Sequence, residues 1–143
     1  MGKKGNGKGQ GGASKAAGGA LVLDAGALIA FERAGVRTAG LLDEGIEEGE
    51  EIVIPTSALA QAWRGGPRSA RLARLMSGST SDALDETRAR EVGERLGRRG
   101  KVDIADAHAV CCALERDAEL VTLDPDDMEA LVDLGGELTL VSV

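Results

Sequence analysis

Leu21-Val22-Leu23-Asp24 and Leu120-Val121-Thr122-Leu123-Asp124 decide the reading of this chain. Each is an apolar run of strand type that ends in an aspartate. Short, wholly apolar runs fit strands buried on both faces, as in a parallel sheet covered by helices. In open α/β sheets, ligands bind beyond the carboxyl ends of the strands. An aspartate at such a tip is costly to bury unless it is paired, caps a helix or meets a cation. Two more segments bring acidic or amide residues to the same kind of position: Ser57-Ala58-Leu59-Ala60-Gln61 and Asp103-Ile104-Ala105-Asp106.

Working outward, strand and helix patterns alternate. A first strand at 20–24 leads to helices at about 26–33 and 36–48. Ile52-Val53-Ile54 reads as a short buried strand stopped by Pro55, and Thr56 is expected to cap a helix over 57–64. Gly65-Gly66-Pro67 breaks that helix, and another spans about 67–76. Residues 77–85 read as a loop with room for a short strand. A charged helix at 86–98 ends at Gly100, and Asp103 opens a helix over 104–116. A strand at 118–123 runs through Asp124-Pro125 into a helix at 125–134, and Gly135-Gly136 turns into a final strand at 138–143. Such alternation predicts an α/β fold with a mostly parallel sheet.

The 143 residues suffice for one domain with a real core. With one Phe, one Trp and no Tyr, that core must be built from Leu, Val, Ile and Ala. The same scarcity argues against aromatic stacking platforms for single-stranded nucleic acid. Residues 1–19 are Gly-rich and lack periodicity, so they read as a flexible basic tail preceding a single domain at 20–143. The tail is either a bland extension or a weak RNA-attracting arm. Net charge is −7, and the tail's Lys3, Lys4, Lys8 and Lys15 (+4) leave −11 on the remainder. A domain so acidic repels nucleic acid at long range unless metal ions or a local basic patch intervene. Adjacent Cys111 and Cys112 are poorly placed to pair and fit small core positions, which suggests a reduced, cytoplasmic setting. No run is apolar enough for a membrane span, and no secretory signal is expected.

Each aspartate has an ordinary explanation. Asp24 and Asp103 can cap helices, Asp106 suits a first helical turn, and Asp124 precedes Pro at a helix start. Taken together, their order places carboxylates at one cleft. All-oxygen donors suit a hard cation such as Mg2+ or Mn2+, which points to phosphodiester chemistry.

The stretches LVLDAGALIAFER, VIPTSALAQAWRGG, DIADAHAVCCAL and ELVTLDPDDMEAL, in this order, resemble the PIN-domain family, and within it the VapC-type toxins of toxin–antitoxin pairs. The resemblance covers roughly residues 20–143. It implies a small three-layer α/β/α sandwich and a Mg2+- or Mn2+-dependent endoribonuclease that uses a metal-activated water. It further implies RNA as substrate, a cognate antitoxin as partner, and a homodimer. Asp24, Asp106 and Asp124 match the family's catalytic, metal-holding acids, and Thr122 matches its supporting threonine. Gln61 stands where the family has a glutamate, and Gly26 where it often has a small polar residue. An amide brings no charge and cannot act as a base, though Asp103 can partly compensate. The competing reading is a PIN-fold module that has lost catalysis and binds RNA or protein.

Arg68, Arg71 and Arg74 would form a stripe on a helix at 67–76, with Arg64 nearby. They are either RNA-phosphate contacts or a solvated surface. Trp63 packs a helix or a partner. His108, the single histidine, lies off the Asp103/Asp106 face, and the chain has too few Cys and His for a structural zinc site. A phospho-receiver module needs a late strand ending in lysine, yet Lys101 is the one lysine after residue 20. A haloacid-dehalogenase-type phosphatase needs an aspartate where Gly26 stands.

Overall fold

The computed structural model describes residues 19–99, 103–129 and 139–143. Its strands are β1 (Ala20–Leu23), β2 (Glu51–Pro55), β3 (Thr80–Asp82), β4 (Glu119–Thr122) and β5 (Thr139–Ser142). They form one sheet in the order β3-β2-β1-β4-β5, and every pairing is parallel. The apolar run of β1 takes the centre, where Leu21, Val22 and Leu23 are fully buried. Leu21 lies opposite Ile52 of β2 and Glu119 of β4.

The helices are α1 (Ala25–Glu32), α2 (Val36–Glu47), α3 (Thr56–Ala62), α4 (Ala70–Ser77), α5 (Glu86–Arg99), α6 (Ile104–Arg116) and α7 (Pro125–Glu129). Strand side chains alternate between faces, and this alternation splits the core in two. Leu21, Leu23, Ile52 and Ile54 pack with α1–α4, through Leu28, Leu42, Ala58 and Leu72. Val22, Val53 and Leu120 pack with α5 and α6, through Val92, Ala107, Val110 and Cys112. Burying each of the large aliphatic side chains contributes about 1.5–3 kcal/mol. The architecture is the expected three-layer α/β/α sandwich. In the described residues the sheet is wholly parallel, and Cys111 and Cys112 are unpaired core residues.

Close contact favours glycine at two positions: a Cβ on Gly35 would stand 2.8 Å from the Ala30 carbonyl oxygen, and Gly45 meets the sheet. Gly45 faces β1, and a Cβ there would stand 2.8 Å from Leu21 Cδ1. Its absence lets α2 approach the Leu21 side chain closely.

Two local expectations change and a third is met. The helix at 67–76 is split into a 3₁₀ turn at Gly66–Ser69 and then α4, because Gly65 and Gly66 take positive φ and Ser69 Oγ accepts from the amides of Arg64 and Gly65. Thr56 does not cap α3. Its hydroxyl oxygen accepts from Leu84 N at 3.1 Å and fixes the loop after β3. The 77–85 stretch does contain a strand, the three-residue edge strand β3. Residues 1–18 of the tail, 100–102 and 130–138 lie outside the described residues.

Candidate functional site

Helices that follow a parallel strand begin at its carboxyl end, and α6, which precedes β4, also begins at that edge. Asp24 follows β1 directly and is the N-cap of α1, its Oδ1 accepting from Ala27 N at 2.8 Å. Its own amide donates to Val121 O of β4 at 3.2 Å. The residue is only 4% exposed. Burial pushes its carboxyl above the ordinary range. Bonds from the Thr122 hydroxyl and Ala27 N act against this, and the charge of Asp124 adds to the rise.

Thr122 is fully buried at the end of β4 and joins the two acids. Its hydroxyl bonds to the Asp24 carboxylate, and its Oγ1 accepts from Asp124 N at 2.9 Å. The Asp124 carbonyl then receives Met128 N and opens α7. Asp124 itself is exposed. The apolar runs quoted at the outset thus deliver a buried and an exposed carboxylate that sense each other's charge.

Asp103 caps α6, accepting from Ala105 N at 2.6 Å. Gln61 Nε2 donates to both of its carboxylate oxygens, at 3.1 and 2.9 Å. The residue at the glutamate position is therefore a hydrogen-bond donor to an acid. Asp106 lies in the first turn of α6 and is partly buried. The structure brings Asp24 to Thr122 and Asp124, and Gln61 to Asp103, with Asp106 a turn beyond Asp103.

The donors fit a hard divalent cation. They are carboxylate oxygens. The buried one carries a raised pKa partly because a second acid faces it, a repulsion that a cation would relieve.

The arginines separate. Arg71 Nε donates to Phe31 O at 3.0 Å and its guanidinium stacks 4.9 Å from the Phe31 ring centroid. Arg74 is exposed in the last turn of α4. Arg64 and Arg68 line a pocket together with Arg33. Trp63, 42% exposed, lines a separate apolar groove between α3 and α4.

Sequence reasoning missed a second polar cluster, centred on Asp82 at the end of β3. Asp82 Oδ1 accepts from Arg88 Nε at 3.0 Å and pairs with His108 Nε2 at 2.8 Å. Its Oδ2 accepts from Arg88 Nη2 at 2.9 Å and Arg116 Nη1 at 2.8 Å. Arg88 also reaches Glu91 and Glu115. His108 is fully buried, and its Nδ1 lies 2.7 Å from Ser57 Oγ. Burial lowers its pKa, against the pull of Asp82, so the ring is neutral, with Nε2–H facing Asp82 and Nδ1 accepting from Ser57. Burial pushes Asp82 up, but the bonds from Arg88, His108 and Arg116 hold it well below the usual carboxylate range.

Asp82, His108 and Cys112 place ligand atoms within 4.8 Å of one another. Two guanidinium groups already balance that carboxylate, and burial raises the Cys112 thiol well above its ordinary value. A cation there would face Arg88 and Arg116, so this cluster does not suit a metal ion. Ser57, His108 and Asp82 also make a serine–histidine–aspartate string. A hydrolytic triad is recognised by its roles, and here the buried imidazole is out of reach of substrate. The string ties α3, α6 and β3 together. A lone buried histidine with a serine and an aspartate far apart in sequence was the available signal.

Neither a protein-family model nor a curated protein sequence matches the chain. Solved structures do share its fold. One is a chain of VapBC2 from Rickettsia felis, solved bound to a DNA fragment from their promoter. It has 16% sequence identity and a TM-score of 0.64, over 86% of this chain and 98% of that one. Another is a chain of FitAB bound to an IR36 DNA fragment, with 17% identity and a TM-score of 0.58, over 85% and 94% of the two chains.

Proposed function

We propose that this protein is a metal-dependent endoribonuclease, the toxin of a toxin–antitoxin pair. The observation that carries the reading is the buried Asp24 carboxylate, coupled through Thr122 to Asp124 at the carboxyl edge of a parallel sheet. The fold shared with the VapBC2 and FitAB chains agrees with the PIN-like sequence pattern. Asp24, Asp106 and Asp124 would hold one Mg2+ or Mn2+, with Asp103 beside them. When bound, such a cation lowers the pKa of a water molecule and offsets charge on phosphate oxygens.

The chain's own residues supply the rest. Thr122 fixes the rotamer of Asp24 and the backbone of Asp124, so the two acids are oriented before any ligand arrives. Gln61 holds Asp103 without adding charge. The expected substrate is RNA, and the expected partners are a cognate antitoxin and a second copy of the chain, in the cytoplasm. Among the described residues no helix is long and apolar enough to cross a membrane.

Gln61 favours a second reading, a PIN-fold module without catalysis. Its amide is engaged with Asp103 and offers the cleft no negative charge. The two readings part in one experiment: cleavage of a mixed structured RNA with Mn2+ or Mg2+, by the wild type and by Asp24→Asn. The nuclease reading expects cutting that needs metal and falls by more than about a hundredfold in the variant. Folded wild type that binds RNA but leaves it intact with every metal selects the binding module. Equal cutting by both proteins removes Asp24 from the site.

A further inference from the structure

Arg33, Arg64 and Arg68 line one pocket of about 300 Å³, together with Ile29, Glu32 and Ala62. Arg33 is the C-cap of α1, Arg64 follows the end of α3, and Arg68 sits in the 3₁₀ turn. The pocket therefore lies just past the carboxyl end of α3, which carries Gln61, and at the far end of the helix that Asp24 begins. All three arginines are exposed, and among the described residues none forms a salt bridge. Among the described residues the Arg64 guanidinium bonds to its neighbour's carbonyl, Trp63 O, at 2.8 Å. The acid in the pocket, Glu32, accepts from Leu72 N at 3.3 Å and is thereby directed toward α4. Three guanidinium groups and one carboxylate leave a net charge of +2.

Helix dipoles favour a cation near each carboxyl terminus. That accounts for Arg33 and Arg64 singly, but not for Arg68 or for the convergence of all three on one concavity. In a chain of net charge −7, unpaired arginines brought together also repel one another, a cost that an anion removes. Guanidinium groups suit phosphate oxygens through paired, parallel N–H donors.

We propose that this pocket is a phosphate subsite that holds the RNA backbone a few nucleotides from the scissile bond. It rests on the nuclease reading for its ligand, though not on catalysis. It replaces the expected Arg68/Arg71/Arg74 stripe with the trio Arg33/Arg64/Arg68. Arg71 contributes to folding through Phe31.

The test measures binding of a fluorescein-labelled single-stranded RNA by anisotropy, from 50 to 200 mM KCl, in the uncleaving Asp24→Asn background. Each phosphate contact contributes about 0.7 to the slope of log K against log salt for a single strand. Arg33→Gln, Arg64→Gln and Arg68→Gln should each lower the slope by roughly that amount, and the triple variant by about 2. Arg90→Gln, on the exposed face of α5 with Glu86 as partner, serves as control and should leave the slope unchanged. An unchanged slope in the triple variant, with circular dichroism showing it folded, overturns the subsite and leaves the nuclease reading intact. A slope that falls as expected, in a protein whose wild type never cuts RNA, upholds the subsite and rejects the nuclease. A parent that shows no salt-dependent RNA binding overturns the subsite as well.

Discussion

Replacing Asp82 by asparagine preserves shape and removes one charge, and the cost follows from the geometry. Each carboxylate oxygen receives two donors, one from Arg88 Nε and His108 Nε2, the other from Arg88 Nη2 and Arg116 Nη1. Whichever way the new amide is turned, its NH2 faces two N–H groups. His108 can change tautomer and exchange roles with Ser57, but neither guanidinium can. Arg88 is 8% exposed and Asp82 7%, so the pair is largely shielded from water. Breaking a buried ion pair by removing one partner costs about 3–5 kcal/mol. For a domain of about 120 residues, with unfolding entropy near 2.1 cal/mol/K per residue, that lowers Tm by about 12–20 °C. In urea, with m near 1.5 kcal/mol/M, the midpoint should fall by about 2–3 M. Arg90→Gln provides the contrast, because the Arg90–Glu86 pair is largely exposed and should change stability by less than about 0.5 kcal/mol. The assay is urea unfolding followed by circular dichroism at pH 7. An Asp82→Asn loss under about 1 kcal/mol would refute the idea that this carboxylate holds β3, α5 and α6 together.

Three further outcomes are expected. Asp24→Asn should stabilise the metal-free protein by about 1 kcal/mol, or roughly 4 °C, while abolishing the melting shift caused by Mn2+; a destabilised variant contradicts the raised carboxyl pKa. Gln61→Glu places a carboxylate about 3 Å from Asp103, so it should lower metal-free stability by about 1 kcal/mol and tighten Mn2+ about tenfold in calorimetric titration; unchanged affinity separates Gln61 from the cation. The folded pKa of His108 lies below its ordinary 6.5, so the unfolded chain gains the proton first, and stability should decline as pH falls below about 6.5. Asp82, also depressed, supports the fold above its ordinary 3.8 and withdraws that support as pH falls further. Urea midpoints at pH 7.5, 6.5 and 5.5 check this sign, and a rise toward pH 5.5 contradicts it.

The sheet was legible because β1 and β4 are apolar runs long enough to stand out and each leads into an aspartate. The Asp24–Thr122–Asp124 arrangement follows from their parallel pairing, which sets Leu23 opposite Val121. The Asp82 network was not legible. Its strand is three residues of Thr, Ser and Asp with no apolar signal, and its partners at 57, 88, 108 and 116 meet only through tertiary packing. The single helix read at 67–76 begins instead with a 3₁₀ turn that carries Arg68 ahead of α4, after the positive φ of Gly65 and Gly66 turns the chain. Gln61 stood out in the sequence, but its bond to Asp103 joins two helices whose relative placement no local pattern encodes.

Several acids of the cleft carry a mechanical duty besides any chemical one. Asp24 terminates α1, Asp103 terminates α6, and the Asp124 carbonyl starts α7. Position 61 terminates nothing. It lies in the last turn of α3 with its side chain exposed, and it touches a helix end only through its bond to the Asp103 carboxylate. The charge of the proposed cleft can therefore be changed at that residue without removing a helix cap, at the cost of its bond to Asp103. Redesign of its cation affinity begins there, while changes at Asp24 or Asp103 alter the helix ends as well.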